Sequence, residues 1–252
     1  MHIESCGPTA REPGDPTMAK PKILIVEDER PLVEVLRANL EREGYEVIVA
    51  GDGVEGLRQA QLKSPDLVVL DLMLPLKGGL DVCRELKSGP RTKGVPVVMV
   101  TARAEESDQL VGFATGADDY VTKPYSMKVL VQRIKKELRR AQAREEAPAG
   151  SQLSSQGVTI DRHGHRAFFR DQEMTLTPTE FRLLETMLRQ IGRAFTRYEL
   201  MDAAIGEDAV VLERTIDVHI KSLRKKLGEG GDLIETVRGV GYRFHEPRLV
   251  GA

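Results

Sequence analysis

Apolar residues in the first half of the chain fall into short blocks of strand length separated by helically spaced ones. Ile23 to Val26 and Leu67 to Leu70 are unbroken apolar runs, as expected of strands covered on both faces of a parallel sheet. Val95 to Val100 reads the same way, and Val47 to Val49 and Tyr120-Val121 are shorter strand candidates. Between them, helical spacing recurs in Leu32, Leu36 and Leu40; Leu57 and Ala60; Leu80, Cys83 and Leu86; Leu110, Val111 and Ala114; and Leu130, Ile134 and Leu138. Five strands alternating with five helices predict right-handed crossovers and a doubly wound, flavodoxin-like parallel sheet. The switch point of that order lies between the first and third strands.

The ends of these strands carry the chemistry. Asp71 closes Leu67 to Leu70, and the other runs end at Asp28, at Thr101 and just before Lys123. A single acid after a strand is an ordinary turn or cap residue. Four functional groups at four strand ends, all on the ligand-binding edge of such a sheet, point instead to a site. Glu27, Asp28 and Asp71 crowd negative charge, which favours a hard cation such as Mg²⁺. Lys123 and Thr101 add a positive charge and a hydroxyl donor, so the set suits a phosphoryl group carried on Asp71.

The second half changes pattern. Residues 143–152 are small and polar and read as a linker. Val158 to Asp161 and Arg166 to Arg170 alternate like short strands around Arg162-His163-Gly164-His165, where no Cys or carboxylate set supports a metal site. Thr177-Pro178-Thr179-Glu180 and Thr196-Arg197-Tyr198-Glu199 fit the capping box that starts a helix. Phe181, Leu184, Leu188 and Ile191 give the first of these helices its apolar face, and Leu200, Ala203 and Ala204 the second. A third, roughly Leu212 to Leu227, buries Ile216, Ile220, Leu223 and Leu227, turns Asp217, Lys221, Arg224 and Lys225 outward, and stops at Gly228. Ile234 to Val237 and Tyr242 to Phe244 form a hairpin through Arg238-Gly239-Val240-Gly241. Three helices and a hairpin with an exposed Arg predict an α+β winged helix-turn-helix domain.

Charge refines this picture. The chain carries a net charge of −2, and residues 153–247 hold 14 Lys and Arg against 15 Asp and Glu, so nucleic acid is not signalled by net charge. The basic residues concentrate locally, with Arg214, Lys221, Arg224, Lys225 and Lys226 in one helix. Cys6 and Cys83 cannot make a disulfide framework, no run is apolar enough to span a membrane, and residues 1–17 lack a signal peptide's apolar stretch. A cytoplasmic protein is expected, with residues 1–19 disordered or translation starting at Met18.

Residues 20–142 resemble the receiver domain of bacterial response regulators, through Val26-Glu27-Asp28-Glu29, Leu70-Asp71-Leu72-Met73-Leu74-Pro75, Thr101-Ala102 and Lys123-Pro124. The resemblance implies that Asp71 takes a phosphoryl group from a phosphohistidine on a sensor histidine kinase. It also implies that Asp28, Asp71 and the Met73 backbone carbonyl bind Mg²⁺ with Glu27 assisting. Lys123 and Thr101 would contact the phosphoryl oxygens, Tyr120 would be the aromatic that swings inward, and Pro124 would be cis. A Tyr simply packed on the last strand fits the sequence equally well. Haloacid dehalogenase phosphatases also form an aspartyl phosphate, but need a second Asp where this chain has Met73. Storage of the group rather than enzymatic turnover is expected.

Residues 153–247 resemble the effector domain of the OmpR/PhoB family, through Leu176 to Phe181, Arg214 to Ile220 and Arg238 to Tyr242. This implies contacts to double-stranded promoter DNA from Arg214, Lys221, Ser222, Arg224, Lys225, Thr236 and Arg238. It also implies a phosphorylation-dependent homodimer through the face of the fourth helix, fifth strand and fifth helix, with Asp118 pairing Arg133 and Asp119 pairing Arg140. A third family ion pair falls on Gln109 and Val129 and is lost. The family Trp near Ile205 is absent too, which puts contact between RNA polymerase and the 206–212 loop in doubt. The alternative is a DNA-binding regulator whose receiver acts as a protein-interaction module without phosphorylation. Residues 248–252 form a short tail.

Overall fold

The computed structural model describes residues 20–102, 116–146, 152–205 and 214–246. The first domain contains β1 (Lys22–Val26), α1 (Arg30–Arg42), β2 (Glu46–Ala50), α2 (Gly53–Lys63), β3 (Leu67–Asp71), α3 (Gly79–Ser88), β4 (Val97–Ala102), β5 (Asp119–Lys123) and α4 (Met127–Glu145). Helix α4 is the fifth helix expected from the sequence; the expected helix around Leu110, Val111 and Ala114 lies outside the described residues.

The five strands form one parallel sheet in the order β2-β1-β3-β4-β5. Its two faces can be read from strand alternation. Leu24, Val26, Val68, Leu70, Val97 and Met99 join one apolar cluster with Ala60 of α2 and Val82, Cys83 and Leu86 of α3. Their neighbours Ile23, Ile25, Leu67, Val69, Val98 and Val100 join the other, with Leu36 and Leu40 of α1 and Leu130, Ile134 and Leu138 of α4. Both faces are thus sealed by helices, which explains why the strand sequences are continuously apolar. Each fully buried leucine, such as Leu36 and Leu40, contributes roughly 2 kcal/mol of transfer free energy. Strand order reverses at β1, with β2 on one side and β3 on the other, and this leaves a crevice at the carboxyl ends of β1 and β3.

Helix α4 continues to Glu145, three residues into the stretch read as linker, because Arg139, Arg140 and Gln142 extend a solvent-facing side that carries no apolar signal. The second domain starts with the antiparallel sheet β6 (Gln152–Ser155), β7 (Val158–Asp161), β8 (Arg166–Phe169) and β9 (Gln172–Met174). Helices α5 (Pro178–Arg189), α6 (Arg197–Ala204) and α7 (Arg214–Leu227) follow. Strands β10 (Phe195–Thr196), β11 (Ile234–Val237) and β12 (Gly241–Phe244) complete a second sheet in the order β10-β12-β11.

Both expected capping boxes are present: Thr177 with Glu180 starts α5, and Thr196 with Glu199 starts α6. Helix α5 ends at Arg189, so Ile191 packs from the following turn rather than from the helix face. Leu200 and Ala204 of α6 are buried, whereas Ala203 is only partly covered. The expected start of the third helix at Leu212 lies outside the described residues. At its other end Gly228, at φ +56°, leads into a 3-10 helix, Gly228–Leu233, instead of a simple stop.

Candidate functional site

The β1–β3 crevice brings together Glu27, Asp71, Thr101 and Lys123. Strand β3 delivers Asp71 as its last residue, next to Val100 of β4, so Thr101 lies one step further along the adjacent strand. Lys123 is the last residue of β5 and reaches back across the sheet edge, donating to Glu27 Oε2 at 3.0 Å and to Asp71 Oδ2. Glu27, Asp71 and Thr101 are all buried, at 4, 5 and 6% exposure. Tyr120 is buried on β5, and the Lys123–Pro124 peptide is cis.

A collar of backbone bonds holds the acid in place. Met73 N–H donates to Asp71 Oδ1 at 2.8 Å, Leu72 N–H to the Val100 carbonyl and Gly79 N–H to the Leu72 carbonyl. A Cβ at Gly79 would collide with the Asp71 carbonyl, so only glycine lets α3 start this close beneath the acid. The sequence reading passed over this position; the Gly78-Gly79 pair next to the acid was its available signal.

The electrostatics are those of a cation site. Burial, followed by the nearby Asp71 carboxylate, pushes the Glu27 carboxyl up to about 7. Burial works against the Lys123 ammonium, yet hydrogen bonds to Asp71 and Glu27 outweigh it and hold the group above its ordinary range. Asp28 is exposed on the loop after β1, and among the described residues no three acid, His or Cys side chains converge closely enough to hold a metal ion. The donor set nevertheless fits Mg²⁺: two buried carboxylates in mutual repulsion, a third on the rim and the Met73 backbone, an all-oxygen set with room for retained water.

A second cluster lies on α7 and the hairpin. Lys221 and Lys225 are exposed on α7, and Thr236 and Arg238 are exposed on the hairpin. Gly239, at φ +77°, permits the turn after Arg238. Arg224 bends toward the hairpin instead of solvent, bonding the Ile234 carbonyl at 3.0 and 2.7 Å and Thr236 Oγ1 at 2.8 Å. Its guanidinium lies over the Tyr242 ring, as does that of Arg197, and Asp217 links Arg197 at 2.8 Å to Tyr242 Oη at 2.7 Å. Lys226 pairs with the buried Glu180 at 2.6 Å, and Ser222 bonds the same carboxylate. Of the residues expected to face DNA, Arg224 and Ser222 therefore make bonds within the domain, as does the neighbouring Lys226. The Arg214 side chain lies outside the described residues.

On the expected receiver pairing face, Arg133 bonds Asp119 of its own chain at 3.1 Å, and Arg140 bonds Glu137 at 2.7 Å. Asp118, at 1% exposure, accepts from Lys87 at 2.5 Å and from Val97 N–H at 2.9 Å. The expected Asp118–Arg133 and Asp119–Arg140 pairs do not form within one chain. Gln109 lies outside the described residues, and Val129 is exposed.

A flavodoxin-like receiver with an acid–lysine pair at its switch point, joined to a winged helix, defines a response regulator of the OmpR/PhoB type, and the chain belongs to that family. Residues 23–135 match the response regulator receiver domain and residues 171–244 the C-terminal domain of transcriptional regulatory proteins. The chain is 47% identical over 226 residues to the phosphate regulon transcriptional regulatory protein PhoB of Rhizobium meliloti (strain 1021), covering 88% of this chain and 97% of that one. It is 43% identical over 226 residues to the sensory transduction protein RegX3 of Mycolicibacterium smegmatis, covering 88% and 98%. Among solved structures, a RitR mutant superposes with a TM-score of 0.70 at 27% identity, covering 90% of this chain and all of that one. No helix among the described residues is long and apolar enough to cross a membrane.

Proposed function

We propose that the protein takes a phosphoryl group from a sensor histidine kinase onto Asp71, pairs through its receiver, and binds promoter DNA to regulate transcription. The observation that carries this reading is Lys123 bridging two buried carboxylates, Glu27 and Asp71, at the switch point of the sheet. In the transfer, the phosphorus–nitrogen bond of the phosphohistidine breaks and a phosphorus–oxygen bond to Asp71 forms. The developing charge on the phosphoryl oxygens is met by Lys123 and by the Thr101 hydroxyl. Glu27, Asp28, Asp71 and the Met73 carbonyl would hold Mg²⁺, which supplies the remaining charge neutralisation when bound.

The winged helix would read the major groove with the exposed face of α7, Lys221 and Lys225 foremost, while Arg238 reaches backbone phosphate or the minor groove. Support comes from the placement of these cations on one surface, with Arg224 and Tyr242 fixing the hairpin against the helix. Two such domains on tandem half-sites would require a paired receiver. Acid-labile incorporation of phosphate from acetyl phosphate and Mg²⁺ tests the first step: wild type labels and Asp71→Asn does not. Equal labelling of both would overturn the assignment of Asp71.

A further inference from the structure

Arginines crowd one cavity of about 230 Å³ that lies among α4, α5, α6 and the turn between β7 and β8. None of its described lining residues belongs to the phosphoryl site or to α7. Arg140, Arg162, Arg182 and Arg189 line it against a single acid, Glu185. Arg162 and Arg189 both donate to the same oxygen, Glu185 Oε1, each at 2.7 Å, so one carboxylate serves two guanidinium groups. Glu137 and Asp118 stand behind the wall, but Lys136 and Lys87 already draw on them, at 3.8 and 2.5 Å. The cavity therefore carries uncompensated positive charge.

The most buried of the four is Arg182, at 7% exposure. Its Nε and Nη2 donate to the Pro178 and Asp118 carbonyls, both at 3.1 Å. Nη1 has no hydrogen-bond acceptor among the described residues and stands 3.5 Å from Glu137 Oε1. A buried guanidinium nitrogen without an acceptor is costly, and a ligand oxygen removes that cost. Arg162 and Arg189, with side chains 41 and 48% exposed, form the outer rim. His165, at φ +49°, sets its ring edge-on against Phe181 with centroids 3.8 Å apart, which gives the wall an aromatic side.

We propose that this cavity binds a small polyanion made of linked phosphoryl groups, either a free oligophosphate or the phosphate chain of a nucleotide. Guanidinium forks match phosphate oxygens two at a time, and arginine gives up its weakly held water more readily than lysine. The volume equals about seven or eight waters at roughly 30 Å³ each, so orthophosphate leaves most of it to solvent, whereas two or three linked phosphoryl groups use it. Such a chain also brings one negative charge or more per group to a wall with four guanidinium groups and one acid. Glu185 competes with the ligand for both rim arginines, so removing its charge favours binding.

The test is isothermal titration calorimetry of the full chain with tripolyphosphate, in Mg²⁺-free buffer at about 0.15 M salt, where attraction between distant surface charges is screened. Arg162→Ala and Arg189→Ala combined should weaken binding roughly tenfold or more. Glu185→Gln should tighten it about threefold, whereas Glu229→Gln, an equal change of net charge at the exposed pair with Arg170, should not. Lys123→Ala and Arg238→Ala should bind as wild type does, since neither cation lines the cavity. Circular dichroism checks folding, and Glu185→Gln carries the test if the double variant does not fold. ATP bound more tightly than tripolyphosphate would assign the site to nucleotides; equal or weaker binding of ATP would assign it to the free chain. A dissociation constant above about 1 mM for both would overturn the site. So would citrate binding as tightly as tripolyphosphate, or affinity that falls in Lys123→Ala or Arg238→Ala and stays unchanged in the cavity variants.

Discussion

Glu180 joins two helices through one carboxylate: it accepts the Thr177 backbone N–H at 2.7 Å to close the cap of α5, and it pairs with Lys226 of α7 at 2.6 Å. Burial alone would raise this acid, but hydrogen bonds from Lys226, Ser222 and Thr177 hold it below its ordinary range. Glu180→Ala is expected to cost roughly 2 kcal/mol in the second domain, from a lost cap and a broken, largely buried pair. Urea unfolding of the full chain checks this, and a change under about 0.5 kcal/mol would show that the pair is neutral.

His219 makes the same region sensitive to acid. It is 2% exposed, and burial is the leading cause that pushes its pKa down to about 4 from an ordinary 6.5. Between those values the unfolded chain binds a proton that the folded one refuses, so stability is present above pH 6.5 and is lost as pH falls toward 4. The full effect is at most roughly 3 kcal/mol. Unfolding free energies measured from pH 7 to 4.5 should fall less steeply in His219→Leu than in wild type; parallel curves would contradict the shift.

On the proposed recognition surface, the groups expected to touch DNA are distinct from those that shape it. Arg238→Ala should reduce the slope of log affinity against log salt by about one unit, as loss of one phosphate contact does. Asp217→Ala removes the tie between Arg197 and Tyr242 without removing an exposed cation. It should weaken binding by about tenfold with the slope unchanged, because the hairpin loses its registration on α7. Electrophoretic mobility shifts over a salt series distinguish the two.

At the phosphoryl site, Lys123→Ala leaves Glu27 and Asp71 repelling one another without their shared cation. Phosphate incorporation should drop at least tenfold. Added Mg²⁺ should raise the melting temperature of this variant more than that of wild type, since the cation replaces the lost ammonium. An equal or smaller rise would mean that Lys123 and the metal do not share these oxygens.

Much of the receiver was legible because its physics is local and repetitive. Apolar runs buried on both faces marked β1, β3 and β4, whose ends pointed to Asp28, Asp71 and Thr101, with Lys123 after the weaker β5 run; in the fold Asp28 is exposed and its neighbour Glu27 takes the buried place. The two Thr–Glu boxes announced α5 and α6 for the same reason. What escaped had no pattern of its own. Strands β6 and β9 are short and half exposed; Gln152 fell at the end of the expected linker, and Gln172 to Met174 carries no strand pattern. The inward use of Arg224 and Lys226 depends on the Ile234 carbonyl and on Glu180, partners that helix periodicity cannot supply. Arg182 meets Asp118 across a separation of 64 residues, and nothing near either side chain in the sequence announces the other.

The bare backbone at Gly79 sets a tolerance on signalling itself. Because α3 begins in contact with the Asp71 carbonyl, the acid rests on a floor with no spare clearance, and its height above the sheet edge is fixed by the absence of a single methyl group. A side chain there would lift the end of β3 and with it the oxygen offered to the donor. The aim of the proposed phosphoryl transfer would thus be governed by a residue that performs no chemistry.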